Sequence, residues 1–250
     1  MSGPGERSIA RCASSRLIRG EALAEVRKLP TRSVDLILAD PPYGTTAADW
    51  DVPLDFGALW PELWRVLKPH GAVLLFCQMP FAARLAATQI RFLKYEWIWE
   101  KPMATGFLNA RRFPMKAHEN VLCFARDLHR YFPQMGKGRP FQSKTSGYSE
   151  LYGKFSIARK ANTGTRFPRS VIRFAHEPVR SHPTEKPTAL LEYLIRTYTH
   201  SGAMVLDFCA GSGSTGVAAM RCGRGSVLIE RESRFCRIAR SRLRAAARSS

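Results

Sequence analysis

Four almost wholly apolar runs constrain the fold more than anything else in this chain. Val34 to Ala39, Ala72 to Phe76, Met204 to Asp207 and Ser226 to Ile229 are strand-sized. They lack the polar alternation of a strand with one wet face, so each reads as a strand buried on both sides. Tyr95 to Trp99 and Asn120 to Ala125 add two further strands. Apolar residues at helical spacing fall between them, over Leu54 to Leu67, Phe81 to Ile90, Thr188 to Thr199, Thr215 to Arg221 and Ser233 to Ala246. Lys68-Pro69-His70-Gly71 reads as the turn that stops the first of these helices. Strands alternating with helices predict an α/β fold, a mostly parallel sheet with helices on both faces.

Charge narrows the partners. The 250 residues hold 39 Lys and Arg against 20 Asp and Glu, a formal charge of +19. That excess favours a polyanion, either nucleic acid or an anionic membrane surface. No apolar run approaches the roughly 18 residues of a membrane span, and the best, Gly71 to Cys77, is strand-sized. The six cysteines are scattered without a C-x-x-C pair, which reads as reduced thiols in a reducing compartment. None stands at zinc-ligand spacing with a histidine, and His118-Glu119 lacks the second His of H-E-x-x-H, so no metal site is expected. Met1 to Arg19 is Arg/Ser-rich and acid-poor; a transit peptide and a frayed end ahead of the first strand both fit, and the frayed end is favoured.

Residues 127–180 break the pattern. They carry eleven Lys/Arg against three Asp/Glu, interleaved with Tyr131, Phe132, Phe141, Tyr148, Tyr152, Phe155, Phe167 and Phe174. Such a composition suits a surface that runs along a phosphate backbone and stacks aromatics, although a solvated excursion with a small aromatic core would look similar.

Two motifs carry chemistry. Asp207-Phe208-Cys209-Ala210-Gly211-Ser212-Gly213 leaves a strand and enters a helix, so its glycines let backbone approach a nucleotide-like ligand. Glu230 ends the next strand, where a carboxylate can take two ribose hydroxyls. Asp40-Pro41-Pro42-Tyr43 comes directly after the strand Val34 to Ala39 and emerges at the carboxyl edge of the sheet, where α/β proteins bind ligands. The prolines fix φ and remove two N–H donors. A carboxylate, a rigid carbonyl and an aromatic face make a receptor for a planar ring bearing an NH2.

This pair of motifs resembles the S-adenosylmethionine-dependent DNA amino-methyltransferases, the N6-adenine and N4-cytosine class. With Asp40-Pro41-Pro42-Tyr43 ahead of the glycine motif, the order is that of the family's permuted β group. Arg19-Gly20-Glu21-Ala22 resembles the family's adenosine-binding segment, and His182-Pro183-Thr184-Glu185-Lys186-Pro187 its cofactor-side segment. His118-Glu119-Asn120 with Val121 to Phe124 resembles its late base-pocket strand. The likeness covers about residues 15 to 240. It implies a Rossmann-like methyltransferase fold with circularly permuted motif order. Residues 1–126 would carry the base-binding motif, 127–180 an inserted target-recognition segment, and 181–250 the cofactor part of the same domain. Permutation is also implied by length, since only about 40 residues remain after Gly211, too few to complete a doubly wound sheet.

The resemblance further implies methyl transfer from S-adenosylmethionine to the N6 of a flipped adenine, with cytosine N4 as the alternative. Asp40, Pro41, Pro42 and Tyr43 would act on the base. Glu21, Thr184, Lys186, Pro187, Asp207, Phe208, Cys209, Ala210, Gly211, Ser212, Gly213 and Glu230 would hold the cofactor. Asp rather than Ser at position 40 favours adenine. The expected partner is double-stranded DNA, not a membrane, with a monomeric or homodimeric, bacterial or phage-encoded protein in the cytoplasm, associated with the nucleoid, and a cognate restriction enzyme as a candidate companion. A nicotinamide oxidoreductase would use Gly211, Gly213, Gly216 and Glu230, but gives Asp40-Pro41-Pro42-Tyr43 no role. A non-catalytic nucleic-acid binder explains the charge but not the two motifs, and RNA or protein-glutamine methylation stays open.

Overall fold

The computed structural model describes residues 14–44, 51–142, 147–151, 153–155, 161–177 and 185–249. They form two compact units, Met1–Phe132 with Ser170–Ser250, and Pro133–Arg169.

The larger unit begins with β1 (Ser15–Arg19), α1 (Ala22–Arg27), β2 (Val34–Ala39), α2 (Phe56–Val66), β3 (Leu67–Cys77) and α3 (Phe81–Thr88). Two long strands come next, β4 (Leu93–Thr105) and β5 (Lys116–Phe124). Among the described residues the smaller unit holds six short strands: β6 (Gly136–Lys137), β7 (Phe141–Gln142), β8 (Gly147–Ser149), β9 (Gly153–Phe155), β10 (Ala161–Asn162) and β11 (Thr165–Arg166). The larger unit resumes with β12 (Val171–Arg173), α4 (Thr188–Tyr198), β13 (Met204–Asp207), α5 (Ser214–Arg221), β14 (Gly225–Glu230) and α6 (Ser233–Ser249).

Eight strands form one sheet in the order β1-β14-β13-β2-β3-β5-β4-β12. All neighbours are parallel except at β5, which runs against both β3 and β4. The buried strands alternate their allegiance, as a two-faced sheet requires. Ile37, Val73 and Leu75 join Val26, Leu59, Leu63 and Leu85 of α1–α3 in one core. Leu36, Leu38, Leu74 and Phe76 join Leu190, Leu194, Ile195 and Ala218 of α4 and α5 in the other. Among the described residues no helix is long and apolar enough to cross a membrane.

Asp35 is a buried charge inside this sheet. It accepts the Met204 N–H at 2.9 Å and pairs with Lys68 at 2.7 Å and Arg130 at 3.3 Å. One side chain thereby ties β2 to β3, to β13 and to the chain after β5.

Three expectations need correction. Residues 15–19 are not a frayed end but the edge strand β1, in parallel register with β14 from Ser15↔Ser226 to Arg19↔Glu230. The expected turn at Lys68-Pro69-His70-Gly71 lies inside β3, where His70 takes φ 62° and the register with β2 shifts. The insert is shorter than 127–180. Arg130 N–H donates to His70 O and Phe132 N–H to Thr197 O, while buried Ile172 carries β12 into the sheet edge, so both flanks belong to the larger unit.

The smaller unit is an antiparallel arm of nested pairs, β6 with β11, β7 with β10 and β8 with β9. Arg166 pins its base, donating to Asn162 Oδ1 at 2.7 Å and lying 4.6 Å over the Phe141 ring. Phe141 and Phe167 are exposed.

Candidate active site

Strands β2 and β13 are neighbours in register (Leu36↔Val205, Ile37↔Leu206) although about 170 residues apart in sequence. Both are parallel, so Asp40 after β2 and the glycine turn after β13 arrive at the same carboxyl edge of the sheet.

On the β2 side, Asp40 is the centre of a polar cluster. Its Oδ1 accepts the Tyr43 hydroxyl at 2.8 Å, and its Oδ2 accepts Lys186 Nζ at 2.5 Å. Lys186 Nζ also stands 3.2 Å from Glu119 Oε2 and 5.2 Å over the Phe76 ring. Lys101 closes the far end, 3.7 Å from Glu119 Oε1. Burial raises the Asp40 carboxyl, against the pull of Lys186. Burial alone would lower Lys186, but the two carboxylates outweigh it and hold the ammonium above its ordinary value. For Glu119, burial is likewise outweighed by Lys186 and Lys101, and its carboxyl sits low. The Tyr43 ring stacks on Phe81 at 5.1 Å between centroids, and burial and the Asp40 charge keep its phenol protonated.

On the β13 side, the backbone folds back on itself. Ala210 N–H donates to Ile229 O, Gly213 N–H to Ala210 O, and Cys209 N–H to Asp207 Oδ1. Gly211 has φ 51°, and a Cβ there would meet nothing within 4 Å, so the turn leaves open space over its backbone. Gly213 has φ 82° and starts α5; a Cβ there would lie 2.9 Å from Ala239 Cβ, so only glycine lets the turn pack on α6. Glu230 reaches into the turn from β14. Its Oε2 accepts Gly211 N–H and its Oε1 accepts Glu232 N–H, both at 2.7 Å. Burial pushes the Asp207 carboxyl up to about 7 and also raises Glu230. Behind the turn, Arg242 donates to Ser212 Oγ at 2.7 Å and Ser214 Oγ at 2.9 Å, and pairs with Glu185.

The other expected residues divide. Pro41 and Pro42 continue from Asp40 in non-regular backbone. Glu21 lies at the same edge, where Gly20 N–H donates to Glu230 O, and its carboxylate caps α1 by accepting Ala24 N–H. The Phe208 side chain is in the core, so only its backbone belongs to the turn. Pro187 opens α4. Lys186, expected on the cofactor side, instead contacts Asp40. Thr184, with His182 and Pro183, lies outside the described residues. Phe81 and Arg242 carry no signal in the sequence, because nothing local distinguishes a helix-start Phe from core or one arginine of α6 from the other five.

The residues present suit an adenosine carrying a sulfonium. Open space over Gly211 admits an adenosine close to the backbone, and the buried acids Asp207 and Glu230 suit hydroxyls and a cation. Fold and site together fit a nucleotide-cofactor enzyme, with the Asp40 cluster adjoining the glycine turn at one edge of the sheet.

The chain is similar to known proteins. The family model for DNA methylases, N6 and N4 amino-methyltransferases, matches residues 34–241, and the chain belongs to that family. It is 31% identical over 247 residues to the DNA adenine methyltransferase YhdJ of Escherichia coli (strain K12), covering 91% of this chain and 82% of that protein. It is 27% identical over 241 residues to the type II methyltransferase M.HpaI of Haemophilus parainfluenzae, covering 91% and 74%. Among solved structures, the M1.HpyAVI–SAM complex shares the fold with TM-score 0.62 and 21% identity, over 91% of this chain and 99% of that one. The cytosine-N4-specific PvuII DNA methyltransferase does so with TM-score 0.66 and 18% identity, over 92% and 87%. The protein is an S-adenosylmethionine-dependent DNA methyltransferase.

Proposed function

We propose that the protein methylates the N6 amine of adenine in double-stranded DNA, at a specific site, after flipping the base out of the helix. The observation that carries this reading is the Asp40 carboxylate at the end of β2, flanked by the Tyr43–Phe81 stack and adjoining the glycine turn. The relative named a DNA adenine methyltransferase supports adenine, as does Asp at position 40.

An exocyclic amine on a purine is a poor nucleophile because its lone pair is delocalised into the ring. Asp40 and the Pro41 carbonyl accept its two hydrogens and draw the nitrogen towards tetrahedral geometry, which frees the lone pair. The rigid Pro41-Pro42 pair holds that carbonyl in place. Tyr43, backed by Phe81, stacks on the flipped base. When bound, S-adenosylmethionine would supply an electrophilic methyl on a sulfonium, with the neutral thioether as leaving group. The methylated amine would shed one proton, and Asp40, which accepts one of its hydrogens, would take it. The backbone from Asp207 to Gly213, with Glu21, Pro187 and Glu230, binds the cofactor, Glu230 through the ribose hydroxyls. Flipping costs a few kcal/mol of unstacking and unpairing, and holding both reactants in line can supply roughly 7–11 kcal/mol of the barrier.

The arm Pro133–Arg169, with exposed Phe141 and Phe167 among basic residues, reads the target sequence. A bacterial or phage-infected cytoplasm, a monomer or homodimer, and a companion restriction enzyme complete the reading; the type II relative supports the last. The test is transfer of labelled methyl from S-adenosylmethionine to unmethylated genomic DNA, with the product then digested to nucleosides. N6-methyladenine is the expected product. N4-methylcytosine would overturn the base assignment and keep the site, and label found only in RNA or protein would overturn the substrate.

A further inference from the structure

We infer that Lys186 is a positioning residue of the acceptor pocket: it clamps the Asp40 carboxylate between itself and the Tyr43 hydroxyl and holds it ionised as acceptor. This rests on the acceptor site proposed above. The motif around Lys186 pointed to the cofactor, yet its ammonium is 2.5 Å from Asp40 and 3.2 Å from Glu119. Its neighbour Glu185 pairs with Arg242 and accepts Ser214 Oγ–H at 3.1 Å behind the glycine turn. Two adjacent residues of opposite charge thus serve opposite halves of the site.

The geometry explains why a lysine is needed. Asp40 is expected to accept an N–H from an uncharged amine, which only its ionised form does with both oxygens free of protons. Burial works against that form. The groups around Asp40 are Tyr43 on its own loop, Cys77 at the end of β3, Glu119 of β5, Lys101 of β4, Lys186, and Asp207 and Cys209 after β13. Among the described residues, Lys186 is the cation in direct contact with Asp40; Lys101 pairs with Glu119 instead. Its single ammonium is shared by two carboxylates, so the clamp is opposed by Glu119. Loss of Lys186 leaves only the Tyr43 hydroxyl bond against burial and Glu119 repulsion, which both favour protonated Asp40. Loss of the Glu119 charge leaves burial alone to oppose the clamp.

The two variants therefore move one titration in opposite directions. In the full-length protein, the carboxyl 13C signal of Asp40, identified by its absence in Asp40→Asn, is titrated in wild type, Lys186→Met and Glu119→Gln. The acid limb of single-turnover kcat on DNA and the Kd for S-adenosylmethionine are measured alongside. Lys186→Met is expected to move the titration and the acid limb to higher pH, with kcat on that limb falling about tenfold per unit moved, and Kd within about twofold of wild type. Glu119→Gln is expected to move both to lower pH, and it tests the clamp even where Lys186→Met does not fold. An Asp40 titration unmoved in Glu119→Gln and in folded Lys186→Met would overturn the inference, as would weaker cofactor binding by Lys186→Met with the titration unmoved. A wild type that methylates no DNA would sink the acceptor reading by itself, while the 13C titration still reports on the clamp.

Discussion

Replacing Glu230 by Gln tests how the glycine turn and the cofactor are coupled. The carboxylate satisfies two backbone amides at 2.7 Å, Gly211 N–H through one oxygen and Glu232 N–H through the other, and it is buried. A glutamine offers one oxygen and one NH2, so it keeps one bond and sets a donor against the remaining N–H. The loss is one hydrogen bond to a charged acceptor, about 1.5–3 kcal/mol. If that bond shapes the turn that holds the cofactor, and the same carboxylate takes the ribose hydroxyls, the Kd for S-adenosylmethionine rises roughly 10- to 150-fold. Titration calorimetry reads that number directly. Thermal melting without cofactor separates the fold from the site: about 2–4 °C of destabilisation is expected per kcal/mol in a chain of this size. A lower melting temperature with Kd within twofold of wild type would refute the reasoning, for Glu230 would then shape the turn without the turn's shape governing affinity. Glu230→Ala removes both acceptors and should weaken binding further than Gln does.

Three other outcomes are expected from single substitutions. Asp40→Ala should lower single-turnover kcat about 100-fold or more, as loss of a preorganised charge-stabilising group does, with cofactor Kd little changed; near-normal kcat would remove Asp40 from the chemistry. Asp207 carries a linkage effect: its carboxyl titrates near 7 in the fold against 3.8 ordinarily, so the folded state holds the extra proton and stability falls as pH rises from about 4 to 7. Asp207→Asn should flatten that decline, by an amount on the order of 4 kcal/mol at most, in urea unfolding measured against pH. Asp35→Ala should cost about 1–3 kcal/mol, mainly the orphaned Met204 N–H, since Lys68 and Arg130 are more than a third exposed and regain water; unchanged urea midpoints would show the latch to be dispensable.

Much of the sheet was legible because its inner strands are buried on both faces. Val34–Ala39 and Met204–Asp207 have the same bounds in sequence and structure, as a single aspartate in each does not blur an otherwise apolar run without alternation. The outer elements were less legible. β4 and β5 extend past their apolar middles into Lys101 to Thr105 and Lys116 to Glu119, polar stretches whose strand character comes from pairing with each other. β1 has no signal of its own: Ser15-Arg16-Leu17-Ile18-Arg19 is half exposed, and only its register with β14 makes it a strand. In the site, the glycine turn and Asp40 were readable because both motifs are contiguous. The clamp was not, since Asp40, Lys186, Glu119 and Lys101 come from four separate segments. Contact between them depends on the sheet order.

That sheet order also resolves an apparent conflict of charge. A chain at +19 should repel a cationic cofactor while it attracts DNA. Five of the six arginines of α6, however, face outward: Arg234, Arg237, Arg240, Arg244 and Arg248 are on its exposed side. The acids are gathered at one edge, with Asp40 after β2, Asp207 ending β13, Glu230 ending β14 and Glu119 near the start of the β5 core. A long-range field from the surface draws in a polyanion, and it is screened within about 10 Å at ordinary salt. Buried carboxylates at the strand ends act over a few ångströms in low dielectric and are screened far less. The two fields therefore operate at different ranges on different ligands. This predicts opposite salt responses in one protein: DNA affinity falls at a log–log slope of about −0.9 per phosphate neutralised, while cofactor affinity holds. A DNA slope near zero would contradict binding along the backbone, and parallel declines in both would show that the edge acids are not what receives the sulfonium.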